Sequence, residues 1–576
     1  MSATHVISTA GHVDHGKSTL VRALTGTDPD RFAEEKERGL TIDLGFAATK
    51  LPSGRTISLV DVPGHIRFLK NMLAGVGAVD ACLFVVAAPE GWMPQSEEHL
   101  RILELLGTGG GVIALTQIDL VDKDTQALAR MDIEEHIAGT FLQDAPIVGV
   151  DSISGNGIAD LLAALDVLVD TTPQAADNKR PRLWIDRAFA AKGAGTVVTG
   201  TLTGGRVRVD DEMIIDPQRD AVRIRGIQNL HENRTKIGPG NRVALNLSGV
   251  AHHDVQRGNA LTVDTQWHRT SVFDASLRVL DSLDHPVSRR GAHVVYLGAG
   301  EHAVVMRVLG PNALQPGDTG FVRIRLPRQL PLLPGDRFIL RESGRSETIG
   351  GGEVLDVDPQ TKASVAAPDK TADRVIRERG WVDAEELMLL TGEKRTATID
   401  RWVVDPDVLD ETEASIRQQL ADAGPLGLEL AQLSDQHRAL AQSLSDTTVD
   451  AGRLREADAV DTLVDHDFLS ELKAAPFRPP APTADQRGEV REMVRRGLVI
   501  EADGLFFSSN AVDRAIREVG QMLQAKPDGV TVAEIREHLG TSRKFALPLL
   551  AHMDTNGITR RREDVRIAGP RMPDLT

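Results

Sequence analysis

Near the N-terminus the residues Gly11-His12-Val13-Asp14-His15-Gly16-Lys17-Ser18 set two glycines apart and follow the second with a lysine and a hydroxyl. Chemistry on a polyphosphate needs that order. Glycine lets successive backbone N–H groups close on phosphate oxygens, and a helix starting after Gly16 adds its dipole. Lys17 can neutralise β- and γ-phosphate charge, while the Ser18 hydroxyl can bind Mg2+. Gly11 through Thr19 are therefore the expected phosphate contacts. A chance Gly-rich turn is the ordinary explanation of the octapeptide alone, and two further segments weigh against it. Asp61-Val62-Pro63-Gly64-His65 closes the next strongly apolar run, where the Asp61 carboxylate can hold magnesium through water and the Gly64 N–H can approach the γ-phosphate. Between them lies Arg38-Gly39-Leu40-Thr41-Ile42, whose Thr41 could complete a metal shell with Ser18 and Asp61 only when the γ-phosphate is present. Read alone, that segment would pass for an edge strand.

The base is addressed by Thr116-Gln117-Ile118-Asp119, after the apolar run 112–115. Asp119 can accept from guanine N1–H and N2–H, donors that adenine lacks, so a carboxylate here selects GTP and GDP. Gln117 can cover the ring face without bringing a cation, which predicts a weaker grip than a lysine would give. In Asp151-Ser152-Ile153-Ser154-Gly155 the backbone N–H groups of Ser152 and Ile153 are placed to meet the base oxygen.

These loops need elements to hold them. Short Val/Ile/Leu runs at 6–8, 57–62, 81–88, 112–116 and 147–150 alternate with helical stretches, which predicts a mainly parallel α/β sheet over residues 1–172. The polar stretch 172–180 then reads as a linker. From there to residue 359 the texture becomes short β-branched runs split by Gly, Pro and Asp, predicting two β-barrels at 181–266 and 268–359. Helical periodicity returns in 370–510, a region that fits winged-helix modules loosely. Its stretches 405–413 and 443–458 are acidic and weakly periodic, and are expected to be spacer. The last module, 511–576, is clearer. Helices at 511–524, 532–539 and 542–556 and a ribbon at 558–562 and 565–568 predict a winged helix. Arg543 and Lys544 at a helix start, with Arg560, Arg561, Arg562 and Arg566 on the wing, suit an RNA phosphate backbone, or else a solvated basic face.

Bulk properties bound the reading. A net charge of −17 argues against a generic nucleic-acid coat and makes local basic patches matter. The one cysteine, Cys82, excludes an internal disulfide and a cysteine-based zinc site, and its apolar run marks it as a core thiol. No apolar run approaches the ~20 residues of a membrane span, so no membrane partner is expected, and the chain reads as a cytoplasmic monomer.

The three motifs at 11–18, 38–42 and 61–65, in that order and followed by two barrel-like regions, resemble the translational GTPases of the elongation factor Tu type over residues 1–359. Asp43-Leu44-Gly45-Phe46, Ile185-Asp186-Arg187-Ala188-Phe189, Lys192 to Gly195, Thr199-Gly200-Thr201, Arg242 to Leu247, Gly335 to Phe338 and Thr348 to Gly352 resemble the bacterial selenocysteine-specific elongation factors within that group. The resemblance implies a multidomain protein with an α/β P-loop GTPase domain, two β-barrels and C-terminal winged-helix (α+β) modules. It implies delivery of selenocysteinyl-tRNA to ribosomes at UGA codons, directed by an mRNA hairpin. His65 would position the attacking water, with Val13 and Leu40 as an apolar gate before it. Asp186, Arg187 and Arg242 would form the aminoacyl pocket, where two guanidinium groups favour a selenolate over neutral serine. A structural ion pair at the barrel rim is the other reading of those residues. For the whole chain, an elongation factor Tu or initiation factor two gamma type of GTPase, or a winged-helix nucleic-acid-binding regulator, stay open as alternatives.

Overall fold

The alternation of apolar runs and helical stretches resolves, in this computed structural model, into a six-stranded sheet. The structure describes residues 5–29, 43–64, 71–73, 79, 81–193, 195–450, 452–457 and 463–573. Strands β1 (His5–Ala10), β2 (Gly45–Lys50), β3 (Thr56–Asp61), β4 (Ala81–Ala87), β5 (Gly111–Thr116) and β6 (Ile147–Gly149) lie in the order β2-β3-β1-β4-β5-β6. Only β2 runs antiparallel to its neighbour. Helices α1 (Lys17–Thr25), α2 (Pro94–Leu105), α3 (Lys123–Ile137) and α4 (Ile158–Thr171) cover it. A strand covered on both faces reads as a continuous apolar run, and β4 shows why. Cys82, Phe84 and Val86 enter one core with Leu100 and Leu103 of α2, while Ala81, Leu83 and Val85 enter the other with Leu20 of α1 and Leu161 and Leu165 of α4. Cys82 is a buried free thiol, and burial pushes its pKa up. The strand order reverses beside β1, the place where open α/β sheets bind ligands beyond their carboxyl ends. Three of the expected site segments start there, after β1, β3 and β5.

The β-branched runs that follow close into two barrels. In the first, strands Glu212–Asp216, Ala260–Thr262, Arg182–Trp184, Gly195–Thr203, Asn241–Ser248 and Asp220–Asn229 pair in that ring order, because the first and last also pair with each other. Strand β8 (Arg187–Ala191), numbered after β7 (Arg182–Trp184), hangs on Gly195–Thr203 outside the ring. The second is a closed barrel of Thr270–Val279, Thr319–Leu330, Gly300–Leu309, His293–Leu297, Arg337–Glu342 and Glu347–Asp356. Arg182 joins the two, donating to both carboxylate oxygens of Asp336 at 2.7 and 2.5 Å while lying over Trp267. Helices α5 (Ala372–Arg379) and α6 (Ala384–Thr391) follow.

Residues 397–576 form a second compact unit. It repeats one theme, helices followed by a β-hairpin. Helix α7 (Pro406–Ala423), α8 (Asp435–Ser443) and the hairpin Thr447–Asp450/Arg453–Glu456 come first. Next are α9 (Asp467–Ala474), α10 (Arg487–Arg495) and the hairpin Val499–Ala502/Leu505–Ser508. Last are α11 (Ser509–Ala525), α12 (Val532–His538), α13 (Arg543–Thr555) and the hairpin Thr559–Arg562/Val565–Ala568, with Val530–Thr531 as a third strand. The acidic stretches expected to be spacer are therefore elements. Asp405 caps α7 by accepting from the Asp407 and Val408 N–H groups, and the stretch 405–413 is the first half of that helix. Acidic residues suit a helix start, where the dipole is positive. Glu492 of α10, 5% exposed, accepts from Arg495 at 2.5 Å, Arg496 at 3.0 Å and Arg455 of the preceding hairpin at 2.5 Å. Hydrogen bonds from Arg495 first, then Arg496 and Arg455, draw its carboxyl down to about 2.

Candidate functional site

The loop after β1 passes through positive-φ backbone three times, at Gly11, Asp14 and Gly16. Gly11 has φ 127° and runs so close to β4 that a Cβ would stand 2.1 Å from the Val85 carbonyl oxygen. Gly16 has φ 82° and caps α1. Only glycine tolerates the first of these approaches. Lys17, 6% exposed, donates from Nζ to the Gly11 carbonyl at 3.0 Å and the His12 carbonyl at 2.5 Å. Burial lowers its amine to about 8, opposed by the Asp61 and Asp14 carboxylates. Asp61 is fully buried and accepts from Ser18 Oγ at 2.7 Å and Thr9 Oγ1 at 2.8 Å. Gly64 stands against Lys17, since a Cβ there would meet Nζ at 2.4 Å and the Val13 N at 2.8 Å. The structure thus brings Gly11, Lys17, Ser18, Asp61 and Gly64 together. Thr41 and His65 lie outside the described residues.

Two side chains on α2 hold this loop, and no motif had singled them out. Gln95 accepts from the Val13 N–H at 2.9 Å, and His99 Nδ1 accepts from the Gly11 N–H at 3.1 Å. They sit one helical turn apart, so both face the loop. Burial lowers His99 to about 3, with help from Lys17 and His12, which keeps Nδ1 a free acceptor at neutral pH. The i,i+4 spacing was the available signal.

At the base site, Thr116 Oγ1 donates to the His15 carbonyl at 2.7 Å and Gln117 Nε2 to the Asp14 carbonyl at 3.1 Å, so both tie β5 to the phosphate loop. Asp119 is exposed on a short 3-10 turn, Ile118–Leu120. The loop at 151 corrects one expectation. Asp151 accepts from the Ile153 N–H and the Ser154 N–H at 2.9 Å each, so the Ile153 amide is already committed. The Ser152 N–H makes no hydrogen bond among the described residues.

The rim of the first barrel carries Asp186, Arg187 and Arg242. Asp186, 4% exposed, accepts from Arg242 Nη1 at 2.6 Å and Nη2 at 3.0 Å, and from Thr199 Oγ1 at 2.7 Å. An ion pair is therefore present. Arg187 instead turns to the GTPase-type sheet, donating to the Leu44 carbonyl and pairing with Asp43 Oδ2 at 3.0 Å. The guanidinium carbons of Arg242 and Arg187 lie 3.4 and 4.8 Å from the centroid of the Phe46 ring. Arg257, which sequence reasoning missed, bonds to the same cluster. No local motif marks it, because its partners are 71 to 214 positions away in sequence.

On the last hairpin Arg560, Arg561 and Arg562 are exposed, as are Arg543 and Lys544 at the start of α13. Arg566 is not part of that face. It is 7% exposed and pairs with Asp554 Oδ2 through Nε and Nη2, both at 3.0 Å. It lies on the central strand of the three, opposite the exposed Arg561, where Asp554 of α13 covers it.

Comparison with known proteins agrees with this layout. The elongation factor Tu GTP binding domain matches residues 3–171, the selenocysteine-specific elongation factor beta-barrel domain 277–361, and the elongation factor SelB winged helix 521–568. The selenocysteine-specific elongation factor of Desulfomicrobium baculatum is 32% identical, covering 97% of this chain and 99% of its own. That of Escherichia coli (strain K12) is 30% identical, over 97% of both. A solved bacterial selenocysteine-specific elongation factor shares the fold with a TM-score of 0.72, at 24% identity, covering 99% of this chain and 100% of that one. With a phosphate loop and a part-buried Asp61–Ser18 pair on an elongation factor Tu type domain, the chain is a guanine-nucleotide-binding translational GTPase, and it belongs to the family of bacterial selenocysteine-specific elongation factors.

Proposed function

We propose that the protein carries selenocysteinyl-tRNA to the ribosome at UGA codons in the cytoplasm, as a monomer, with its last winged helix on an mRNA hairpin. The observation that carries the cargo reading is the rim cluster, in which Arg187 and Arg242 flank one aromatic ring beside Asp186. A selenol is ionised at neutral pH, and two guanidinium groups beside a low-dielectric wall stabilise a selenolate by charge-assisted hydrogen bonds that neutral serine cannot match. The relatives at full length carry the same specificity in their names.

In the GTPase site, Ser18 and Asp61 form a hydroxyl-carboxylate pair of the hard-oxygen kind that Mg2+ prefers, with Thr41 the proposed third member. Bound there, the ion would neutralise charge on the β- and γ-phosphates. Lys17 binds the same charge from the other side, the loop amides orient the phosphates, and His65 holds the attacking water. Asp119, Gln117, Thr116 and Ser152 select the base. Arg543, Lys544 and Arg560 to Arg562 contact RNA phosphates.

The test is a competition of selenocysteinyl- and seryl-tRNA for the protein loaded with a non-hydrolysable GTP analogue, repeated with Arg242→Ala. The proposal expects a strong preference for the selenocysteinyl form that the variant loses. Equal affinity in the wild type would leave a GTPase with another cargo.

A further inference from the structure

Arg257 lies in the loop before the strand Ala260–Thr262 of the first barrel, and each of its three guanidinium nitrogens is committed to a different segment. Nε donates to the Asp186 carbonyl at 2.9 Å, in the cargo rim. Nη1 donates to Asn71 Oδ1 at 2.6 Å, and Nη2 to Asp43 Oδ1 at 2.8 Å. In the sequence Asp43 follows Thr41 by two positions and Asn71 follows His65 by six. The other oxygen of Asp43 pairs with Arg187 at 3.0 Å. One planar, rigid group therefore ties Asn71 and Asp43 to the backbone of Asp186 and, through Asp43, to the side chain of Arg187. A guanidinium holds its donors in a fixed fork, so moving any one partner by about an ångström breaks or redirects the others. Asp43 is held below the usual carboxylate range, desolvation being outweighed by Arg187 and Arg257, and stays an anion at working pH.

We infer that Arg257 is a positioning residue that couples the state of the nucleotide site to the shape of the cargo pocket. The inference rests on the cargo reading above. Asp43 supplies the mechanism: it is an anion of the chain itself on Arg187, and a selenolate entering the rim competes with it. Movement of the segment that carries Asp43 withdraws that competitor, and Arg257 fixes how far it withdraws together with Asn71.

The experiment uses the full chain and measures selenocysteinyl-tRNA affinity in the GTP-analogue and GDP forms, for wild type, Arg257→Gln and Arg257→Lys. In the glutamine variant the ratio of the two affinities falls by about tenfold or more, a coupling loss of ordinary allosteric size. Lysine, one point charge with no fork, recovers only part of it. Because coupling is reciprocal, cargo also stops raising GTP-analogue affinity in the glutamine variant, whereas nucleotide binding without cargo stays within about twofold. A ratio retained in Arg257→Gln overturns the inference. If that variant unfolds, Asp43→Asn and Asn71→Ala, each removing one arm, give the same reading, and undiminished coupling in both overturns it. A wild type that binds selenocysteinyl- and seryl-tRNA equally would sink the cargo reading instead. In that event hydrogen exchange along β8 decides the coupling: a difference between nucleotide states that vanishes in Arg257→Gln supports it, and one that persists overturns it.

Discussion

Lys17 shows how much a single buried charge sets. In the folded protein burial lowers its amine to about 8, against 10.5 for an ordinary lysine. Between these values the unfolded chain holds a proton that the folded one has released. Stability of the nucleotide-free protein therefore rises with pH across that window, by the linkage sign for a depressed lysine. Nucleotide binding moves the other way, because phosphate charge needs the protonated amine. Affinity for GDP, titrated by fluorescence from pH 7 to 10, should fall above pH 8 with a slope of up to about one decade per pH unit. A flat profile to pH 9.5 would mean that the amine keeps its proton unaided. At this scale the phosphate loop was legible in the sequence because glycine, lysine and hydroxyl must sit in one order to do that chemistry. Ile153, Arg566 and Arg257 were not. Where the Ile153 amide points depends on a carboxylate two residues back, Arg566 differs from its exposed neighbours by its place on the central strand against Asp554, and Arg257 has partners brought together only by the fold.

Among the elements, the last winged helix offers the cleanest test of local stability. Thr531 accepts from the Glu534 N–H at 3.3 Å while the Glu534 carboxylate accepts from the Thr531 N–H at 2.7 Å, a reciprocal cap on α12. Thr531→Ala removes one half of it and should cost about 1 kcal/mol of unfolding free energy. The measurement is denaturant unfolding of the full chain, followed by hydrogen exchange at residues 530–540. Protection there unchanged from wild type would count against the cap. The helices of this module could be read to within a few residues because their apolar periodicity is strong. The first half of helix α7 was hidden for the opposite reason: of its buried residues, Thr412, Ile416 and Leu420, only Thr412 falls there, behind an acidic first turn. Helix α2 was hidden in another sense, since its apolar face announces a helix while its function lies in two polar acceptors, Gln95 and His99.

For the whole molecule, acidity must coexist with the proposed RNA binding, and the net charge of −17 makes the basic wing a local exception. Replacing Arg560, Arg561 and Arg562 together with glutamine should weaken binding of an mRNA hairpin. It should also lower the slope of log affinity against log salt by about two to three, one phosphate contact per arginine. Nucleotide binding should not change, and an unaltered salt slope would place the RNA elsewhere. The order of domains was readable from texture alone, apolar alternation, then split β runs, then helical periodicity, whereas the recurrence of hairpins in the middle repeats was not. Short strands such as Arg453–Glu456 carry too few apolar residues to register. The Glu492 cluster gives that recurrence a mechanical meaning. A carboxylate that stays ionised and grips arginines from one hairpin and the next helix is a weld between neighbouring repeats. In the proposed reading, a tug from an mRNA hairpin at the far wing passes through that joint as displacement, where a flexible spacer would absorb it as slack.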